Sequence, residues 1–156
     1  ARFGSKAGLF MAALDELSSR LPSAEELTRG SPADVRAHLR GIAHQMLQMA
    51  LSWPAIGICR MLVLPMKSAP HLGEEFWKKT VEGYHAAMHR LLREADAAQL
   101  LDVPDPAIAA SQFIALVTGD PTLRMLLTSQ RFKSEKEGEA HVEAAVGLFM
   151  AGYSRV

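Results

Sequence analysis

Residues 141–153 read His141-Val142-Glu143-Ala144-Ala145-Val146-Gly147-Leu148-Phe149-Met150-Ala151-Gly152-Tyr153. At helical spacing the polar stripe of this stretch is Glu139 and Glu143, continued only by Gly147 and Ala151. Val142, Ala145, Val146, Leu148, Phe149, Met150 and Tyr153 fill most of the remaining circumference. A helix this apolar needs burial on two sides. The chain's own core can cover one side, and a second copy related by a twofold axis covers the other most simply. The preceding helix carries no charge from Pro106 to Gly119 and has apolar residues all round its axis, so it makes the same demand.

Outward from this pair, helical periodicity continues and strand signals are absent: there is no Val/Ile/Thr alternation and no Asn-Gly or Asp-Gly turn. A first helix spans about Ser5 to Leu21, with Phe10, Leu14, Leu17 and Leu21 on one face and Pro22 ending it. Ser5 can cap it and Phe3 can staple its first turn. Ser23 to Ser31 is polar, though Ser23 and Glu26 have capping-box spacing. Ser31-Pro32 opens a helix striped by Val35, Leu39, Ile42, Met46 and Ala50. Ser52-Trp53-Pro54 opens another, limited by Pro65. The longest runs from about His71 to Ala98, with the stripe Trp77, Val81, Tyr84, Met88, Leu91 and Ala95. Asp105 is placed to cap the helix that starts at Pro106, and Gly119-Asp120-Pro121 is expected to kink or break it. The last helix covers about Glu135 to Arg155. These readings give an all-α, antiparallel bundle of about six helices.

The chain has 156 residues, 49% of them hydrophobic, which suits one globular domain with a sizeable core. Its 17 basic and 17 acidic residues cancel, which argues against nucleic-acid binding by this segment alone. Cys59 is the single cysteine, so an intrachain disulfide is excluded and a reducing, cytoplasmic setting is natural. No signal-peptide pattern opens the sequence. The longest run without Asp, Glu, Lys or Arg, Gly41 to Cys59, contains His44, Gln45, Gln48, Ser52 and Pro54 and does not read as a membrane span.

Several phrases in this order carry a resemblance. Phe3-Gly4-Ser5-Lys6 resembles the joint between the helix-turn-helix reader and the connecting helix of TetR-family regulators of the AcrR and AefR type. Ile56-Gly57-Ile58-Cys59-Arg60-Met61-Leu62-Val63 is similar to an arginine-containing apolar helix of that family. Pro70-His71-Leu72-Gly73-Glu74-Glu75-Phe76-Trp77 is similar to the start of its long helix. Ala109 to Asp120 and His141 to Tyr153 resemble its last two helices. The resemblance implies that residues 1–6 are the remnant of a DNA-binding domain of roughly fifty residues upstream, and that 7–156 form a ligand-binding and dimerisation domain. It further implies a homodimer whose last two helices build an intersubunit four-helix bundle. Leu116, Leu123, Leu127, Ala145, Leu148, Phe149 and Gly152 are its expected contacts. Lys6 would approach a DNA phosphate, a contact that positions without reading sequence. The expected activity is sensing: a small, largely apolar or aromatic effector changes the tilt of the connecting helix and releases a repressor from its operator.

The expected ligand-binding residues are Met46, Trp53, Arg60, Met61, Tyr84, His85, Met88 and Phe113. Eight methionines, Met49 and Met66 among them, suit adaptable packing around a ligand, and each also reads as ordinary core. Arg60 stands in the otherwise uncharged run Trp53 to Met66. It either meets an anionic or carbonyl-bearing ligand, pairs with Glu74 or Glu75, or snorkels to solvent. His85 and His89 share one side of the long helix, and Glu82 with His85 forms a single Glu-x-x-His element. A di-iron bundle needs two such elements, so a rim position is the simpler reading and no metal or cofactor is expected. Cys59 reads as a small core residue rather than a redox sensor. No phosphate loop, Ser-His-Asp pattern or catalytic carboxylate pair occurs, so no catalytic residues and no enzyme activity are expected. The competing readings are an all-α metal-binding or enzyme bundle and a helical interaction module without a small ligand.

Overall fold

The computed structural model describes residues 6–20, 23–30, 34–63 and 70–155. In chain order the elements are α1 (Lys6–Arg20), α2 (Ala24–Leu27), α3 (Val35–Ala50), α4 (Trp53–Val63), α5 (Pro70–Phe76), a π-helical segment (Trp77–Val81), α6 (Glu82–Ala97), α7 (Pro106–Thr128) and α8 (Glu135–Tyr153). The described residues are helical or irregular, and no strand occurs among them. None of their helices is long and apolar enough to cross a membrane. The Ser5 cap, the Phe3 staple and the Ser31-Pro32 helix start lie outside the described residues.

Side-chain caps set several boundaries. Ser23 and Glu26 close a capping box around α2. Asp34 caps α3 by accepting from the Ala37 amide at its start, Val35. Asp105 accepts from the Ala107 and Ile108 amides at the head of α7.

The main core joins α3, α6, α7 and α8 through Leu39, Met46, Met88, Leu92, Phe113, Val117, Met125, Val142 and Val146, with Ile56 added from α4. Phe113 meets Phe149 edge-on, ring centroids 5.1 Å apart. Arg36 and Arg40 of α3 both reach Glu143 on α8. A second, smaller core packs α1 against α4 and α5: Phe10, Leu14, Ile58, Leu62 and Leu72, with Met11 and Phe76 against them. Phe10 and Leu14 of the expected α1 stripe are thus buried, while the side chains of Leu17 and Leu21 lie outside what is described.

Two elements depart from regular geometry. The expected stripe of the long helix starts at Trp77, yet Trp77 is exposed. The π turn explains this. It spends an extra residue per turn, so the inward positions step from Phe76 to Val81 and then resume at Tyr84, Met88 and Leu91. Trp77 falls outside that series and stacks on His85, centroids 5.5 Å apart.

Pro121 does not break α7; the helix runs through it and buries its ring. Proline lacks the amide that would donate to the carbonyl four residues back, here Val117. His141 of α8 fills that role, with its Nε2 2.8 Å from the Val117 oxygen. The carbonyl is an acceptor, so Nε2 carries the proton. A helix defect in α7 is thereby converted into a cross-link to α8.

Candidate functional site

Between α3, α4, the π segment, α6 and α7 lies a cavity of about 190 Å³. Met46, Met49 and Ala50 come from α3, and Ala55 and Cys59 from α4. Phe76 ends α5, Thr80 and Val81 come from the π segment, and Tyr84 and His85 follow on α6. Ile114, Thr118 and Thr122 come from one face of α7, at intervals of a helical turn. Among the described residues no Asp, Glu, Lys or Arg is in this wall. Burial raises the Cys59 thiol above its ordinary value of 9.0 and the Tyr84 phenol above 10.0, so both are neutral at pH 7. The Tyr84 hydroxyl donates to Met49 Sδ at 3.0 Å, a weak acceptor.

A larger concavity of about 500 Å³ lies outside, between α3 and the α7–α8 connection. Its wall includes His44, Gln48, Arg131, Glu135 and Glu139. These solvated, mixed charges make it a surface groove. The smaller cavity has the apolar walls and few polar groups of a small-molecule site.

Of the expected ligand-binding residues, the fold brings Met46, Tyr84 and His85 together on the cavity wall. Met88 and Phe113 are packed solid in the main core behind it. Trp53 and Met61 point outward, 56% and 49% exposed. Trp53 carries the Arg131 guanidinium over its ring at 5.7 Å, while Arg131 also donates to the Leu51 carbonyl. Arg60 is engaged elsewhere. Its Nε donates to the Leu126 carbonyl at 3.0 Å, and its Nη2 to the Met125 carbonyl at 2.7 Å and Ser129 Oγ at 2.8 Å. It therefore caps the C-terminus of α7, where a cation meets unpaired carbonyls and the negative end of the helix dipole. The long-range partner of a lone arginine has no signature in sequence. Thr80, Thr118, Thr122, Ala55 and Ile114 carry no site signal in the pattern, because small and β-branched residues on a helix read as ordinary surface or core; Ala50 reads only as part of the α3 stripe. Among the described residues no three His, Cys, Asp or Glu side chains converge as a metal site would require.

A second surface is formed by the outer faces of α7 and α8. Ile108, Leu123 and Leu127 on α7 and Leu148 on α8 are 55%, 56%, 76% and 63% exposed. Gly152 is exposed beside them and Leu116 is half-buried. Ala145 and Phe149 differ from the expected outward placement: they are turned into the chain's own core. Phe149 lies about 100° round the helix from Leu148, and on a helix apolar on both sides only packing decides which of the two faces out. Lys6 is exposed at the start of α1.

The fold defined by these elements is shared with solved TetR-family regulators. A TetR regulator from Agrobacterium tumefaciens superposes with a TM-score of 0.81 at 22% identity, covering 98% of this chain and 74% of that one. A regulator from Mesorhizobium loti MAFF303099 assigned to the same family gives 0.80 at 20% identity, covering 98% and 77%. The flavonoid-responsive regulator FrrA gives 0.78 at 26% identity, covering 95% and 72%. No curated protein is a significant sequence match. Residues 37–155 match the family model of the AefR-like transcriptional repressor C-terminal domain, so the chain belongs to that family of TetR regulators. Regulators of this family are generally dimeric and bind DNA and small-molecule effectors.

Proposed function

We propose that this domain holds a small, largely apolar effector in the cavity of about 190 Å³, and that two copies pair through the outer faces of α7 and α8. The observation that carries the reading is the largely apolar wall, without Asp, Glu, Lys or Arg among its described residues, drawn from α3, α4, the π segment, α6 and α7. The name of the relative FrrA, a flavonoid-responsive regulator, is in keeping with an aromatic effector. The domain works in the cytoplasm and performs no catalysis. A helix-turn-helix reader joined ahead of α1, with Lys6 near the DNA backbone, receives the signal.

The route from cavity to α1 is short. Phe76 borders the cavity and packs on the second core, which contains Phe10 and Leu14 of α1. Lys79, next to Thr80, pairs with Asp15 of α1 at 2.8 Å. An effector that displaces Phe76 or the π segment shifts the seat of α1, and with it the separation of two readers on DNA. It acts only to the extent that it binds one tilt of α1 better than the other.

The test is a thermal-shift screen of small uncharged compounds on the chain and on an Ala55→Leu variant, which narrows the cavity. Compounds that raise the melting temperature of the parent and lose that effect in the variant support the reading. Compounds that stabilise both equally bind elsewhere and count against it. Sedimentation supplies the second arm: a monomer at micromolar concentration refutes the pairing.

A further inference from the structure

Three threonines in these helices close their hydroxyls onto the carbonyl four residues back: Thr28 onto Ala24, Thr118 onto Ile114 and Thr128 onto Arg124. Thr80 and Thr122 do not. Their Oγ1 atoms are sealed from solvent and have no hydrogen-bond partner among the described residues. Both threonines border the same cavity, from opposite elements, the π segment and α7. The exceptional backbone at each position is relevant. Thr80 sits in the wide π turn and Thr122 directly follows Pro121, which contributes no amide to the ladder of α7.

A buried hydroxyl without a partner destabilises a fold, and valine would fill the same space without that penalty. Rotation about χ1 exchanges the methyl for the hydroxyl at the cavity wall, and threonine in a helix populates more than one rotamer. Among the described residues of the wall no Asp, Glu, Lys or Arg occurs, and His85 is held against Ser111 Oγ and the Trp77 ring, so an ionic ligand would be buried without a dedicated counter-ion. Arg60, which the sequence offered as a partner for an anionic ligand, is committed to the end of α7. For scale, a cavity of about 150 Å³ in another protein accommodates benzene.

We infer that the cavity selects an uncharged, single-ring molecule carrying oxygen functions, whose polar atoms are met by Thr80 on one side and Thr122 on the other. This rests on the reading of the cavity as the effector site and narrows it to a chemical class. Hydrocarbons of the same outline fill the space but leave both hydroxyls unmatched, and carboxylates are rejected by desolvation. Each threonine contributes a neutral hydrogen bond, which corresponds to about a fivefold gain in affinity.

The experiment is calorimetric titration of the chain with three probes of one outline: 4-hydroxyacetophenone, 4-isopropyltoluene and 4-hydroxybenzoate. The pH is chosen so that the phenols are protonated and the carboxylate is not. The neutral oxygenated probe is expected to bind at least about tenfold tighter than either of the others, as two matched hydrogen bonds imply. Its advantage over the hydrocarbon should vanish in the Thr80→Val/Thr122→Val double variant. It should survive in Thr80→Ser/Thr122→Ser, which keeps both hydroxyls. Without ligand, Thr122→Val should melt no lower than the parent, whereas Thr118→Val, which loses a made hydrogen bond, should melt lower. If the hydrocarbon binds as tightly as the oxygenated probe, or the preference persists in the valine variant, the inference fails and the effector reading stands. If no probe binds in an Ala55→Leu-sensitive manner, both fail.

Discussion

Replacing His141 with phenylalanine removes one hydrogen-bond donor while keeping an aromatic ring against Phe132, whose ring lies 5.4 Å away. The acceptor it abandons is the carbonyl of Val117, a residue with no exposed surface, whose usual helical donor is missing because residue 121 is proline. A buried acceptor left without a partner costs about 1–3 kcal/mol. His141→Phe should therefore destabilise the chain by that amount, a fall of roughly 2–10 °C in melting temperature for a domain of this size. The sharper test is a double-mutant cycle with Pro121→Ala. Alanine restores an amide aimed at the Val117 carbonyl, so in that background the histidine is redundant. His141→Phe should then cost under about 0.5 kcal/mol, a coupling of about 1–2 kcal/mol or more between residues 20 positions apart. Denaturant unfolding of the four proteins at one fixed concentration gives the cycle, since any pairing of copies adds a concentration term. Equal costs of His141→Phe in the two backgrounds would refute the idea that His141 serves as the missing donor.

Leu148→Glu tests the outer face. Burying a whole leucine contributes about 1.5–3 kcal/mol, and Leu148 leaves 63% of itself exposed. Each copy therefore stands to lose about 1–2 kcal/mol and a twofold pair about 2–4, which weakens dimerisation by about 30- to 1000-fold. Sedimentation should show this for Leu148→Glu and not for Leu9→Glu on α1, which is 50% exposed. Arg60→Met should cost about 2–3 kcal/mol, because three charge-assisted bonds to the end of α7 are lost from a half-buried site. Ligand affinity should be unchanged in the same variant if Arg60 is a cap and not a cavity residue, which calorimetry decides. Burial raises the Cys59 thiol, so the folded chain holds that proton where the unfolded chain releases it. Stability should be intact below pH 9.0, the ordinary value, and decline as pH rises from there toward the raised folded value. In Cys59→Ala, unfolding measured across that range should show a shallower decline, and an unchanged slope would exclude the thiol as a source.

The sequence by itself determined the helical class, most boundaries and the unusual demand of the last two helices. Periodicity, caps such as Asp105 and Ser23, and the scarcity of charge in α7 and in α8 after Glu143 are local properties, written in residues within a turn or two of one another. It did not determine which side of a two-sided helix faces home, since Leu148 and Phe149 are equally apolar and only the packing on Phe113 separates them. Nor could it place Arg60, whose partners lie 65 to 69 residues away, or find the π turn that rotates Trp77 out and Thr80 in. The cavity itself belongs to tertiary structure alone. It is the space enclosed by α3, α4, the π segment, α6 and α7, and its two unmatched hydroxyls come to border one cavity only because the fold brings the π segment and α7 to the same wall.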